Sequence, residues 1–293
     1  MDLTPIGLWT HALDHIPMAR SQEVAAEMEE LGYGAIWIPE MAGRDPFVSS
    51  ALLLEATERI VLATGIANIY SRDPLSMACA QNSVTEAFPE RFLLGIGVSH
   101  QSAVEGLRGQ TYGPPLATMR AYLDGMDVGF YLATPPTTPT HRVLAALGPR
   151  MLELAATRAE GAHPYFVPVE HTALARSTMG PDAGLYVEQM AVLDTDPTTA
   201  RATARGAMAM YLGLPNYTNN LVRLGWSEDD FADGGSDRLV DAITVWGDEA
   251  TIAARVREHR DAGADHVCVQ VLTPEFTGLP LDAWRRLAPA LID

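Results

Sequence analysis

Residues 93–101 read LLGIGVSHQ. Gly95 and Gly97 open the G-x-G-x-x-G fingerprint of a dinucleotide loop, but position 100, where the third glycine belongs, is His100. Such a loop follows the first strand of its unit and is answered by an acid roughly 20 residues further on. Here the glycines lie inside the fourth apolar run of the chain, and around position 115 stand Pro114 and Pro115. The pair reads better as small residues in a buried strand, where a backbone or a ligand comes close. His100 then falls just past the end of that strand, either as an ordinary loop histidine or as a functional one.

Outward from this stretch the chain alternates. IGLWT, AIWIPE, IVLATGIAN, RFLLGIGVS, RVLAALG, GAHPYF, YVEQMAVL and HVCVQVL are strand candidates. Helical windows separate them. Ser21 is a candidate cap for SQEVAAEMEELG, which closes at Gly32. Asp73 caps a helix with Pro74 in its first position, and DEATIAARVREHRDAG is a late, clear example. The strands are nearly continuous apolar runs, so both their faces are buried, as in a parallel sheet covered by helices. About eight such units without a break predict an α/β fold, a (β/α)8 TIM barrel forming one domain over 1–293, with a doubly wound sheet as the alternative. In a barrel, chemistry gathers at the C-terminal ends of the strands.

Composition narrows the chemistry. The chain has 293 residues, 47% of them hydrophobic, and a formal net charge of -17. All 20 basic residues are arginine. Without lysine there is no Schiff-base or P-loop lysine. An acidic surface suits neither nucleic acid nor anionic lipid. The N-terminus lacks the basic region of a signal peptide, and no run of 18 apolar residues suggests a membrane span. Cys79 and Cys268 are expected as reduced, buried thiols of a cytoplasmic protein. His11, Asp14 and His15 are close in sequence, but no third histidine follows at ligand spacing, so no metal is expected. His163, in AHPYF, reads as a structural or a catalytic histidine, and TPPTTPT (134–140) as a stiff linker.

Three longer stretches, LATGIANIYSRDPLSMA, ERFLLGIGVSH and LAALGPRMLELAATRAEGAHPYFV, resemble the luciferase-like monooxygenase superfamily, and more narrowly its branch that uses the deazaflavin coenzyme F-420. The similarity covers most of the chain and is weakest at 107–140 and 210–240. It implies a barrel with a deazaflavin, or alternatively flavin mononucleotide (FMN), across the C-terminal mouth. It also implies a small organic substrate and a homodimer.

Carried onto this chain, the resemblance implies a bulge with a non-prolyl cis peptide at Gly65 and Ile66. Together with Ala67 and Asn68 these residues would back the cofactor ring, with Ser99 nearby. From the residues alone, a glycine there also fits a plain kink. In the family the turn Leu147, Gly148, Pro149, Arg150 and Met151 holds the cofactor phosphate. A helix N-terminus suits an anion, although Gly-Pro also starts ordinary helices. Arg150 and Arg72 are the candidate cations. One branch, the glucose-6-phosphate dehydrogenases, has an Asp-His pair after strand two and a glutamate after strand four. Here Glu40-Met41 and His100 stand there, which argues against sugar-phosphate oxidation. His100 is the expected proton carrier, Glu40 a polar contact to the ring, and Trp9 and His11 the substrate lining. An FMN-dependent monooxygenase is the alternative, and a non-catalytic cofactor-binding barrel the alternative of another class.

Overall fold

A computed structural model describes Met1 and residues 3–292. Its strands are β1 (Ile6–Trp9), β2 (Ala35–Ile38), β3 (Val61–Thr64), β4 (Ala67–Asn68), β5 (Phe92–Gly97), β6 (His141–Leu144), β7 (Gly161–Ala162), β8 (Gly184–Val192), β9 (Thr244–Trp246) and β10 (His266–Val271). The ring runs β10-β1-β2-β3-β5-β6-β7-β8 and closes by β8 pairing with β10, in parallel throughout. β3 and β4 both pair with β5 and form one interrupted barrel strand. The expected (β/α)8 barrel is therefore present. β9 pairs with β8 outside the closed ring, and the sequence pattern gave no sign of this three-residue strand.

Most strand residues divide by parity into two apolar clusters, while Met190 and Val192 of β8 join a third. Leu8, Ile36, Leu62, Leu94, Leu144, Val187 and Val267 pack against helix residues such as Val24 and Met28. The alternate set, Trp9, Trp37, Ala63, Leu93, Val143, Tyr186 and Cys268, contains no helix residue and fills the barrel. Apolar residues at every strand position thus serve two separate cores, as a two-faced sheet requires.

Local chemistry sets the helix starts. Asp73 accepts from Ser76 N at 3.0 Å with Pro74 behind it, and Gly32 takes φ +94° past the end of the first helix, Met18–Glu30. Ser21 does not cap that helix. It sits inside it, fully buried, and its hydroxyl donates to Leu13 O at 2.9 Å, so Pro17 occupies the N-cap. Cys268 is buried, while Cys79 is only half-buried. Among the described residues, no helix is long and apolar enough to cross a membrane.

The glycines of LLGIGVSHQ are explained by the neighbouring strand. Leu62 and Ala63 pair with Phe92 and Leu93, whereas Ala67 and Asn68 pair with Ile96 and Gly97. Thr64, Gly65 and Ile66 therefore stand opposite only Leu94 and Gly95, a bulge of one extra residue. A Cβ on Gly95 would lie 2.1 Å from Thr64 O, and one on Gly97 2.7 Å from Ile66 Cδ1. Both glycines make room for the bulge.

Candidate active site

At the C-terminal mouth, the bulge is held from three sides. Gly65 N donates to Ile38 O at 2.8 Å, Glu40 N donates to Ile66 O at 3.2 Å, and the Trp9 indole N–H donates to Gly65 O at 3.1 Å. The Gly65–Ile66 peptide is cis. A side chain at Gly65 would meet Trp9 Nε1 at 2.5 Å and His163 Nε2 at 3.2 Å, so this position has to be glycine.

Glu40 and Arg72 lock the bulge in place. Arg72 grips Glu40 with two parallel bonds, of 2.9 and 2.8 Å, and reaches Asp45 at 3.0 Å. Glu40 Oε2 also accepts from Asn68 N at 2.7 Å, and Asn68 Oδ1 accepts from Tyr70 N at 2.9 Å. Both oxygens of Glu40 are thus committed to the protein, and the Arg72 charge is answered locally.

A second wall is built on the turn after β6. Gly148 is the N-cap of the helix Pro149–Arg158, whose first turn holds no acid, and Arg150 is exposed there. The Arg223 guanidinium lies over this turn, 3.7 Å from where a Gly148 Cβ would be. Arg223 donates to Asn220 Oδ1 at 2.8 Å, and Asn220 Nδ2 is buried without a partner among the described residues. His171 donates from Nε2 to Leu147 O at 2.8 Å, leaving its buried Nδ1 likewise without a partner. Burial, then the Arg223 charge, lowers the His171 pKa. A helix N-terminus, a guanidinium and the unpartnered Asn220 N–H make a setting that accommodates an anion, whereas Nδ1 of the neutral His171 is an acceptor and does not add to it. Arg223 and Asn220 escaped the sequence reading. Their only signal is an amphipathic helix, Pro215–Arg223, in the stretch where the resemblance fades.

The third wall carries the titratable groups. After β5 the chain turns through Ser99 in the left-handed region, φ +56°, and Tyr112 donates to Ser99 O at 3.2 Å. His100 follows, its Nδ1 donating to Asn216 Oδ1 at 3.0 Å and its ring 5.5 Å from that of Tyr217. Burial lowers the His100 pKa, partly offset by the Asn216 bond. Tyr165 donates to Gln270 Oε1 at 2.7 Å. Its one proton being spent, Tyr211, 2.7 Å away, donates to Tyr165. The Tyr165 ring leans on Trp9 at 5.0 Å, linking this wall to the bulge.

Below the mouth, His163 stacks on Trp37 at 4.3 Å and donates from Nδ1 to Tyr186 O at 2.8 Å. Glu188 accepts from Phe166 N at 3.1 Å, and burial pushes its carboxyl up to about 8. At the rim, His11 stacks on Phe276 at 4.4 Å, and burial followed by the nearby His15 lowers its pKa to about 4. Among the described residues, no three His, Cys, Asp or Glu side chains are grouped to hold a metal.

The family model for luciferase-like monooxygenases matches residues 2–266. A 5,10-methylenetetrahydromethanopterin reductase of Methanolobus tindarius is 25% identical, over 86% of this chain and 90% of its own. The structure of an F420-dependent secondary alcohol dehydrogenase in complex with an F420-acetone adduct superposes with a TM-score of 0.77 at 13% identity, covering 99% of this chain and 100% of the other. The FMN-bound oxygenating constituent of 3,6-diketocamphane monooxygenase of Pseudomonas putida gives 0.68 at 15% identity, covering 99% of each chain. At such identities the two structures attest a common fold. The family match spans most of the chain, and the protein therefore belongs to the luciferase-like monooxygenase family.

Proposed function

We propose that this protein is an oxidoreductase that transfers hydride between the deazaflavin coenzyme F-420 and a small organic substrate. The observation that carries the reading is the pairing, on one barrel face, of a setting suited to an anion with a bulged backbone wall. The unpartnered Asn220 Nδ2, together with Arg223 over Gly148, suits a cofactor phosphate at Gly148 to Met151. Gly65 to Asn68 suit the back of a flat ring, with Ser99 beside them. The relative named for methanopterin reduction and the F420-dependent alcohol dehydrogenase that shares the fold favour a deazaflavin.

When bound, the deazaflavin supplies a hydride acceptor or donor. The chain supplies orientation and a proton site. With Nδ1–H donated to Asn216, His100 presents Nε2 as a neutral base. That tautomer suits removal of a proton from a substrate hydroxyl as its carbon is oxidised. Glu40 acts behind the ring, by holding the bulge.

Titration of the purified protein with F-420 and with FMN, read by fluorescence, tests this. Stoichiometric binding of F-420 alone, with turnover lost in His100→Ala while binding stays, is the expected result. Preference for FMN would instead assign an oxygen-using monooxygenase, the reading to which the FMN-bound neighbour gives weight. Tight binding without turnover on any acceptor would indicate a carrier barrel.

A further inference from the structure

Beside the bulge lies a cavity of about 160 Å3. The end of β1 and the turn after it, Trp9 to Ala12, form one side, and the end of β10 with the segment after it, Val271 to Pro280, forms another. The helix Pro197–Leu212 lines a third side with Ala202, Thr203, Gly206 and Ala207, and because Ala202 and Gly206 are exposed the cavity opens to solvent there. A void of roughly 150 Å3 is enough to hold benzene.

The wall mixes polar and apolar groups in similar measure and is nearly uncharged. Glu275 is its one carboxylate, and His11 is neutral at pH 7, its Nδ1 buried without a partner among the described residues. An anion entering here would lose part of its hydration with no cation to replace it, and would face Glu275. The buried Gln270 also lines the cavity. Its Oε1 is held by Tyr165, which is held in turn by Tyr211, so the amide cannot turn freely. That leaves the Gln270 amide N–H2 as a fixed donor with no acceptor among the described residues. Trp9 forms the common boundary, with its indole N–H on Gly65 O at 3.1 Å on the bulge side.

We propose that this cavity is the specificity pocket of the enzyme, and that it takes an uncharged, benzene-sized group whose oxygen accepts from Gln270. The substrate class is thus neutral and cyclic or aromatic, not a carboxylate or a phosphate ester. This deepens the function proposed above and rests on it, since the pocket matters to catalysis only if the ring lies against the bulge.

Gly206 supplies a clean test. A Cβ there would meet nothing within 4 Å, so a larger side chain can enter the cavity without straining the helix. The isosteric pair benzamide and benzoate serve as probes, with dissociation constants from ligand-detected NMR on the protein with and without F-420. Benzamide is expected to bind at least about tenfold tighter than benzoate, because the carboxylate is not compensated. Gly206→Leu should weaken benzamide about tenfold or more by filling the pocket, while leaving the affinity for F-420 within about twofold. Gln270→Met should weaken benzamide by a similar factor. Equal binding of the two probes, no binding of either, or indifference to Gly206→Leu would each overturn the pocket. Failure of F-420 to bind, with benzamide still distinguished from benzoate and still sensitive to Gly206→Leu, would overturn the proposed function and leave the pocket standing.

Discussion

The hydroxyl of Thr64 donates to Gly95 O at 2.6 Å and accepts from Gly95 N at 2.9 Å. One side chain thus replaces both ladder bonds at the point where the bulge breaks the pairing of β3 with β5. Thr64→Val keeps the shape and removes both bonds, leaving a buried N–H and C=O unpaired. We expect a loss of about 2–4 kcal/mol in urea unfolding. Thr64→Ser should recover most of it. Gly95→Ala, which would set a methyl 2.1 Å from Thr64 O, should not give a folded protein at all.

Glu40 and Arg72 are the next test. Their side chains are 9% and 13% exposed, so this is a largely buried ion pair. Arg72 keeps Asp45 when Glu40 is neutralised, but that carboxylate is 47% exposed, whereas loss of Arg72 strands the buried Glu40. Glu40→Gln is expected to destabilise by roughly 1–3 kcal/mol, Arg72→Met by roughly 3–5 kcal/mol, and the double variant by less than the sum of the single changes. A double-mutant cycle in urea measures this coupling. A Glu40→Gln protein of unchanged stability whose kcat falls would instead make Glu40 an acid–base group, contrary to the geometry.

These two cases show how much was legible in the residues. The barrel could be read because strands buried on both faces are apolar at every position, and Gly95 and Gly97 announced a close approach without naming what approaches. The helix starts were readable where the cap is local, as at Asp73. Ser21 has the chemistry of a cap, yet it is drawn into the helix by Leu13 O, a tertiary partner. For Glu40, nothing in AIWIPE says that Arg72 takes up the carboxylate. Arg223 reaches Gly148 across 75 positions, and a contact that long leaves no local pattern.

Arg223 should matter for an anionic cofactor and little for folding. It is exposed, its hydrogen-bond partner is Asn220, and no carboxylate pairs with it among the described residues. Arg223→Met is expected to weaken binding of a phosphate-bearing cofactor roughly 10- to 100-fold, the worth of a bond to a charged group. The unfolding midpoint should stay close to that of the wild type. The loss should shrink as salt is raised, because a partly exposed charge is screened. Calorimetric titration at low and high salt checks both points. An unchanged affinity would remove Arg223 from the anion setting.

Glu188 should give the fold a dependence on pH that can be isolated. Among the described residues its side chain's only bond is the one accepted from Phe166 N, and Oε1 is buried without a partner. Burial raises its folded pKa from 4.5 to about 8. Between these values the unfolded chain gives up a proton that the folded chain keeps, so this group makes stability fall as pH rises from 4.5 toward 8, and level off above. His163 and His266 act in the opposite sense. Burial lowers each from 6.5 to about 4, so their contribution is lost as pH falls through that window. Glu188→Gln keeps the bond from Phe166 and removes the titration. Its unfolding midpoint should exceed that of the wild type at pH 8 and approach it near pH 5, so below pH 6, where the histidine contribution is being lost in both proteins, the variant should decline more steeply than the wild type. Parallel melting curves for the two proteins from pH 5 to pH 9 would mean that Glu188 is charged, and therefore paired, within the barrel.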